Sequence, residues 1–212
     1  MFLQPFKGLL QTDGYKGYND VAARSDVTMF ACMTHARRKF IEAEKNDAVR
    51  SRQAVDMIRK LYKVERYCRD ENLSIEQRLE LRQEKSKTIM KEFKKWLDEN
   101  ASAGVPKSPI REAINYTIGL WPRLERYLNH GEVEIDNNLI ENTIRPIALG
   151  RKNYLFAGSH DAAQNAAMIY SFMATCKLNN IDQSKWLVKV LSEINETKTS
   201  ELYKLLPYNI EL

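Results

Sequence analysis

Asp13 follows the short apolar run Gly8-Leu9-Leu10-Gln11-Thr12 and precedes Gly14. A carboxylate at the end of a buried strand is held rigidly and can give a hard oxygen ligand to a divalent cation. The same residues also suit a plain Asp-Gly turn. Glu141 lies in Asn137-Asn138-Leu139-Ile140-Glu141-Asn142-Thr143-Ile144-Arg145-Pro146. Its spacing from Asn138 fits a capping box, and its spacing from Arg145 fits a helical ion pair. The functional alternative is that Glu141 points from a helix toward Asp13 and shares a cation with it. Arg37-Arg38-Lys39, and Arg151-Lys152 after Gly150, are short cationic clusters that could hold phosphates. Short clusters of this kind are also the ordinary dress of a solvated surface. Cys32 and His35 have a Cys-x-x-His spacing, but no second close pair completes the four ligands of a structural zinc site. A buried thiol and a hydrogen-bonded imidazole account for them more simply. No GxSxG, Walker loop or GxGxxG occurs.

These groups need elements to position them. Gly8–Thr12 and Val27–Cys32 have the apolar, β-prone character of buried strands, with a short helix expected between Tyr15 and Arg24. From His35 the period becomes helical. Met57, Leu61, Val64 and Cys68 mark one face of a helix. Leu79, Ile89, Phe93, Trp96 and Leu97 mark a second, less cleanly at its start. Asn72-Leu73-Ser74 reads as the turn between them, with Ser74 as N-cap. Ser108-Pro109 begins another helix, and Pro122 should break or kink it. His130-Gly131 closes the helical block. Asp136-Asn137-Asn138 caps a helix that Pro146 should end or bend. Asn153–Gly158 reads as a loop or small hairpin. Ala162, Ala166, Ile169, Met173 and Cys176 give a helix ended by Asn179-Asn180, and Trp186 to Ile194 a last one, with Leu187, Val190, Leu191 and Ile194 on one side. Leu205-Leu206-Pro207-Tyr208 is apolar enough to dock. Two strands make a poor sheet. Either residues 153–157 pair with them, or the chain begins partway through a domain.

Composition bounds the rest. The 212 residues are 43% hydrophobic and 29% charged, which suits a globular chain with a core. No apolar run approaches the roughly 20 residues of a membrane span, and no secretory signal is visible at Met1-Phe2-Leu3-Gln4-Pro5. Cys32, Cys68 and Cys176 are far apart and odd in number, as free buried thiols in a reducing, cytoplasmic setting would be. The net charge is +5. Residues 35–100 hold 18 Lys and Arg against 13 Asp and Glu, so the whole excess falls there. Such asymmetry suits a polyanionic partner, or else a long solvated helical face.

Taken together, the segments resemble a known family. Leu10-Gln11-Thr12-Asp13-Gly14-Tyr15-Lys16-Gly17-Tyr18 resembles the second-carboxylate segment of insertion-sequence transposases of the IS-sixty-six group. Cys32 and His35-Ala36-Arg37-Arg38-Lys39-Phe40 resemble that family's next block. Ile135 to Glu141, Arg145-Pro146, Gly150-Arg151-Lys152-Asn153 and Phe156-Ala157-Gly158-Ser159 resemble the third-carboxylate region, the most specific part. Leu205-Leu206-Pro207-Tyr208 is similar to the family's C-terminal end. The match runs in order over nearly the whole chain.

The resemblance implies an α+β, mostly α protein: a partial RNase H-like fold lacking its first strands, with a large helical insertion and a helical C-terminal region. Residues 1–35 would be the remaining strands, 36–130 the insertion, 131–178 the third-carboxylate helix and remainder of the core, and 179–212 the C-terminal helix and tail. It implies a DDE active site in a bacterial, cytoplasmic protein. Asp13 and Glu141 would be the second and third catalytic carboxylates and ligands of Mg²⁺ or Mn²⁺. Arg37, Arg38, Lys39, Arg145, Arg151 and Lys152 would contact DNA at insertion-sequence ends and target. The family's first Asp lies upstream of the residues present, so the chain alone is expected to carry little or no strand transfer. A second copy or the upstream part of the protein would be its protein partner. The alternatives are a non-catalytic DNA-binding helical protein and a decayed remnant.

Overall fold

The computed structural model describes residues 3–210. Strand β1 (Gly8–Thr12) pairs in parallel with β2 (Val27–Ala31), Gly8 opposite Val27 and Thr12 opposite Ala31. The connection holds a 3₁₀ turn at Lys16–Tyr18 and the short helix α1 (Asn19–Ala22). Val27, Met29, Phe30 and Ala31 are all buried, the two-faced burial typical of a parallel strand. Residues 153–157 do not join this sheet. Asn153 and Tyr154 end a helix, and Leu155 takes a positive φ of 55° in the loop beyond it. A left-handed residue there ends the helix instead of starting a strand.

The helices are α2 (Met33–Glu42), α3 (Ala48–Asp70), α4 (Ile75–Leu81), α5 (Lys87–Glu99), α6 (Pro109–Glu125), α7 (Asn138–Tyr154), α8 (His160–Leu178) and α9 (Gln183–Glu193). The protein is therefore α+β and mostly α. Contacts divide it into two compact units, one up to Asn138 and one from Leu139 onward. No helix among the described residues is long and apolar enough to cross a membrane.

In the first unit, Phe30 and Ala31 share one core with α2, α3, α5 and α6. Phe93 lies at its centre, 5.6 Å from Trp121 and 6.2 Å from Phe40 between ring centroids. Burying one such ring contributes about 1.5–3 kcal/mol. Of the residues that marked the α3 face in the sequence, Leu61, Val64 and Cys68 are buried and Met57 flanks the core, and the buried face also takes in Ser51, Ala54, Ile58 and Glu65. The turn at Asn72 has φ 50°, and Ser74 forms a full capping box with Gln77. Ser108 stands at the N-cap of α6 but makes no side-chain cap bond. Pro122 does not break α6, and Pro146 does not end α7. Both prolines are exposed, so the turns they disturb can be solvated.

The unclear start of the second predicted helix has a physical cause. Between α4 and α5 the backbone widens into a π turn, Arg82–Ser86, so residues 75–99 run as one helical stretch. Its core positions are Arg82, Ser86, Met90, Phe93 and Leu97. The first two are polar, so the apolar period fades there. Arg82 is fully buried and pairs with buried Glu65 of α3, Nε to Oε1 at 2.9 Å and Nη2 to Oε2 at 2.6 Å. Its Nη1 donates to the carbonyls of Tyr127 and His130. The next residue, Gly131, admits no side chain, because a Cβ would lie 2.1 Å from the Ile75 carbonyl oxygen.

In the second unit the core is small. Cys176, Trp186, Leu205 and Ile210 are buried, with Phe172, Met173, Leu187 and Val190 against them. Leu191 and Ile194 are exposed, so the inward side of α9 is Trp186, Leu187 and Val190. The tail docks as expected, with Trp186 Nε1 donating to the Leu205 carbonyl at 2.9 Å. All three cysteines are free and buried.

Removing one partner of the buried pair leaves an uncompensated charge. Glu65→Ala is expected to lower stability by about 3–5 kcal/mol, and the double variant Glu65→Met, Arg82→Met to recover much of it. Urea unfolding followed by tryptophan fluorescence reads this, and a loss below about 1 kcal/mol would show the pair to be solvated.

Candidate functional site

Asp13 stands immediately after β1, half-buried. Its Oδ1 accepts the Tyr15 backbone N–H at 2.9 Å, and its main-chain carbonyl accepts the Tyr116 hydroxyl of α6 at 2.8 Å. Gly14 comes next with φ 85°, and a Cβ there would lie 2.8 Å from Leu120 Cδ1. Turn and rigid carboxylate are thus the same local structure. The turn satisfies one oxygen, α6 pins the backbone, and Oδ2 accepts no hydrogen bond among the described residues. Burial first, then the nearby Asp13 charge, pushes the Tyr116 phenol up.

A second polar centre lies where β2 runs into α2. Asp136 Oδ2 accepts from the Tyr62 hydroxyl at 2.6 Å, the Thr34 hydroxyl at 2.9 Å and Asn138 Nδ2 at 2.9 Å. Asp136 Oδ1 accepts the Asn138 backbone N–H at 3.0 Å. The Ile135 carbonyl accepts the Met33 N–H, and the Glu134 carbonyl accepts Gln11 Nε2. The segment before α7 is therefore fastened to β1, α2 and α3 at once. Burial, then the hydrogen bond given to Asp136, pushes the Tyr62 phenol well above its ordinary range. Burial also pushes the Cys32 thiol up.

Glu141 occupies the first turn of α7, half-buried. Arg145, Arg151 and Lys152 lie on the same helix and are exposed. Arg145 forms no ion pair among the described residues, so its four-residue spacing from Glu141 is not used as a salt bridge. On α2, Arg37 is half-buried, and Arg38 and Lys39 are exposed. Lys39 pairs with Glu42 at 3.6 Å. Asp13 and the α2 cations belong to the first unit, Glu141 and the α7 cations to the second. Carboxylate oxygens are the right donors for a hard divalent cation. Among the described residues, however, no three His, Cys, Asp or Glu side chains gather as a metal site. The donor type fits a hard divalent cation, whose remaining ligands would come from water or phosphate oxygens.

Comparison with known proteins agrees with the motif order. Residues 1–165 match the family described as Transposase IS66 family, and residues 171–208 match the IS66 C-terminal element. The chain belongs to the IS66 transposase family. It is 35% identical to the uncharacterized proteins y4hP and y4qI of Sinorhizobium fredii, over 97% and 99% of its own length and 40% of theirs. It is 40% identical to the uncharacterized protein YuaK of Escherichia coli over 19% of this chain and 43% of that protein. The chain thus spans about two-fifths of the length of the long relatives it matches. No solved structure matches it.

For this IS66 family chain, sequence reasoning missed Tyr62, Thr34 and Tyr116. Asp136 was legible only as a cap, because its partners are 74 and 102 residues away along the chain. The one available sign was a tyrosine on the inward flank of an otherwise basic helix.

Tyr62→Phe removes a hydrogen bond to a carboxylate and is expected to cost about 1.5–3 kcal/mol at neutral pH. The folded phenol titrates above its unfolded value of about 10, so its contribution is complete below that pH and is lost as the pH rises past it. Urea unfolding between neutral and strongly alkaline pH should show a shallower alkaline decline in the variant. Parallel declines would place Tyr62 outside the network.

Proposed function

We propose that the chain is the part of a DDE transposase that carries the second and third catalytic carboxylates, in a protein that cleaves and rejoins phosphodiester bonds at insertion-sequence ends. The observation that supports this reading is the family match over residues 1–165 and 171–208; Asp13 and Glu141 are assigned as its carboxylates from their motif resemblance. In this reading β1 and β2 belong to an RNase H-like core, and Asp13 and Glu141 each contribute oxygen ligands to Mg²⁺ or Mn²⁺. Such a cation, when bound, makes a water or 3′-hydroxyl more acidic and stabilises the departing oxygen. The chain's own residues supply the positioning. Tyr15 and Tyr116 hold Asp13, and Asp136 fixes the segment that leads into the Glu141 helix. Arg37, Arg38 and Lys39 on α2, with Arg145, Arg151 and Lys152 on α7, neutralise DNA phosphates.

A second reading, a helical protein that binds DNA without chemistry, is favoured by one observation. The whole positive excess lies in residues 35–100, a stretch of sequence that holds neither carboxylate. The two readings separate in a titration of the chain with Mn²⁺ followed by electron paramagnetic resonance. Weak binding that falls in Asp13→Asn and again in Glu141→Gln is expected of the transposase site. Binding unchanged in both variants, with DNA affinity equally unchanged and steeply salt-dependent, would replace it with the second reading.

A further inference from the structure

The outer side of α3 carries a row of exposed cations. Its buried residues define an inward face, and the opposite side presents Arg52, Arg59, Lys63 and Arg66, all exposed. Steps of seven, four and three residues keep these four side chains within one narrow stripe of the helix. From Arg52 to Arg66 the row is about 21 Å long at 1.5 Å per residue.

Their partnerships differ in a telling way. Arg52 pairs with Glu44 at 2.9 Å and Arg59 with Asp56 at 2.6 Å, with both pairs well exposed. Exposed pairs of this kind hold little energy, about 0–1 kcal/mol, so a phosphate can exchange for either carboxylate. Lys63 and Arg66 form no ion pair among the described residues. A groove of about 410 Å³ opens between α2 and α3 beside the start of the row. Arg37 of α2 lines it with Arg52 and Arg59, is half-buried, and forms no ion pair or hydrogen bond among the described residues. Ser51, which also lines it, keeps its hydroxyl buried without a hydrogen-bond partner among the described residues. A half-buried unpaired guanidinium is a costly way to build a solvated surface, and a sensible way to wait for an anion.

We propose that the outer face of α3, together with Arg37 in the α2–α3 groove, is a contact surface for the phosphate backbone of double-stranded DNA. A single 23-residue helix gives a rigid, straight row. Duplex DNA, stiff over about 150 base pairs, meets such a row without bending. The contacts are to phosphates, so they set affinity and orientation and carry no base specificity. The proposal rests on the reading of the chain as a DNA-handling protein, and it adds where the duplex lies.

The test measures fluorescence anisotropy of a labelled duplex with the full chain across a salt series. Removing three phosphate contacts in Arg59→Gln, Lys63→Gln, Arg66→Gln should weaken binding at low salt by roughly tenfold or more. The slope of log affinity against log salt should become shallower by about one for each cation removed. The effect should be equal for insertion-sequence ends and unrelated duplexes. Arg37→Gln should give about one unit of the same change. Lys91→Gln, Lys95→Gln on α5 should leave both quantities unchanged, and circular dichroism melting should match throughout. If the α3 triple variant binds like the unaltered chain while Arg151→Gln, Lys152→Gln loses affinity and slope, the α3 surface is wrong and the transposase reading stands. If the unaltered chain binds no duplex even at low salt, both fall.

Discussion

One guanidinium holds the helical half of the first unit in register. Arg82 sits where the helical run widens into a π turn, and its donors reach a carboxylate on α3 and two carbonyls at the end of the α6 segment. The guanidinium also lies 4.9 Å over the Tyr127 ring. Burying a charge is expensive unless geometry and partners are close to ideal, so this arrangement tolerates few alternatives. A planar fork with five donors can join three chain segments at one point, which an ammonium on a flexible stem cannot. The chain turns directly after His130, through a glycine that lets it pass against the Ile75 carbonyl. The segment Val133 to Asp136 is thereby delivered to the end of β2.

That delivery makes the polar centre around Asp136 possible. Tyr62, Thr34 and Asn138 converge on one carboxylate from two helices and the segment itself. A carboxylate in so many hydrogen bonds is a structural clamp, and it is distinct in kind from Asp13, whose Oδ2 stays open among the described residues. Both acids lie at the mouth of the same two-stranded sheet, because parallel strands end together and their outgoing loops must leave on one side. Environment sets the division of labour. The clamp is saturated with donors, and the candidate ligand is held by its backbone with half its carboxylate unused.

The distribution of cations has the same logic. The inward faces of α2 and α3 are apolar except for Glu65 and Ser51, so every remaining charge on these helices is pushed outward. The core therefore sorts a diffuse excess of Lys and Arg into a stripe and a groove. No local signal at Arg37, Arg52 or Arg59 says that they border one depression. The packing of α2 on α3 makes it.

The sequence alone determined what depends on neighbours a few residues apart. The two strands, the Ser74 N-cap, the helix ends at Asn72 and Asn180 and the docked tail all rest on local pattern. They were legible because caps, turns and periods act over one or two turns of chain. Pattern misled where an inward position is polar or a breaker is solvated: Arg82 and Ser86 hid the start of a helix, and Pro122 and Pro146 proved compatible with theirs. The pairing of β1 with β2, the identity of the Arg82 partner, the Tyr62–Asp136 bond and the groove at Arg37 were decided by tertiary structure. Each joins residues far apart in the chain, and only the packing of apolar faces brings such pairs close enough for charge and hydrogen bonding to act.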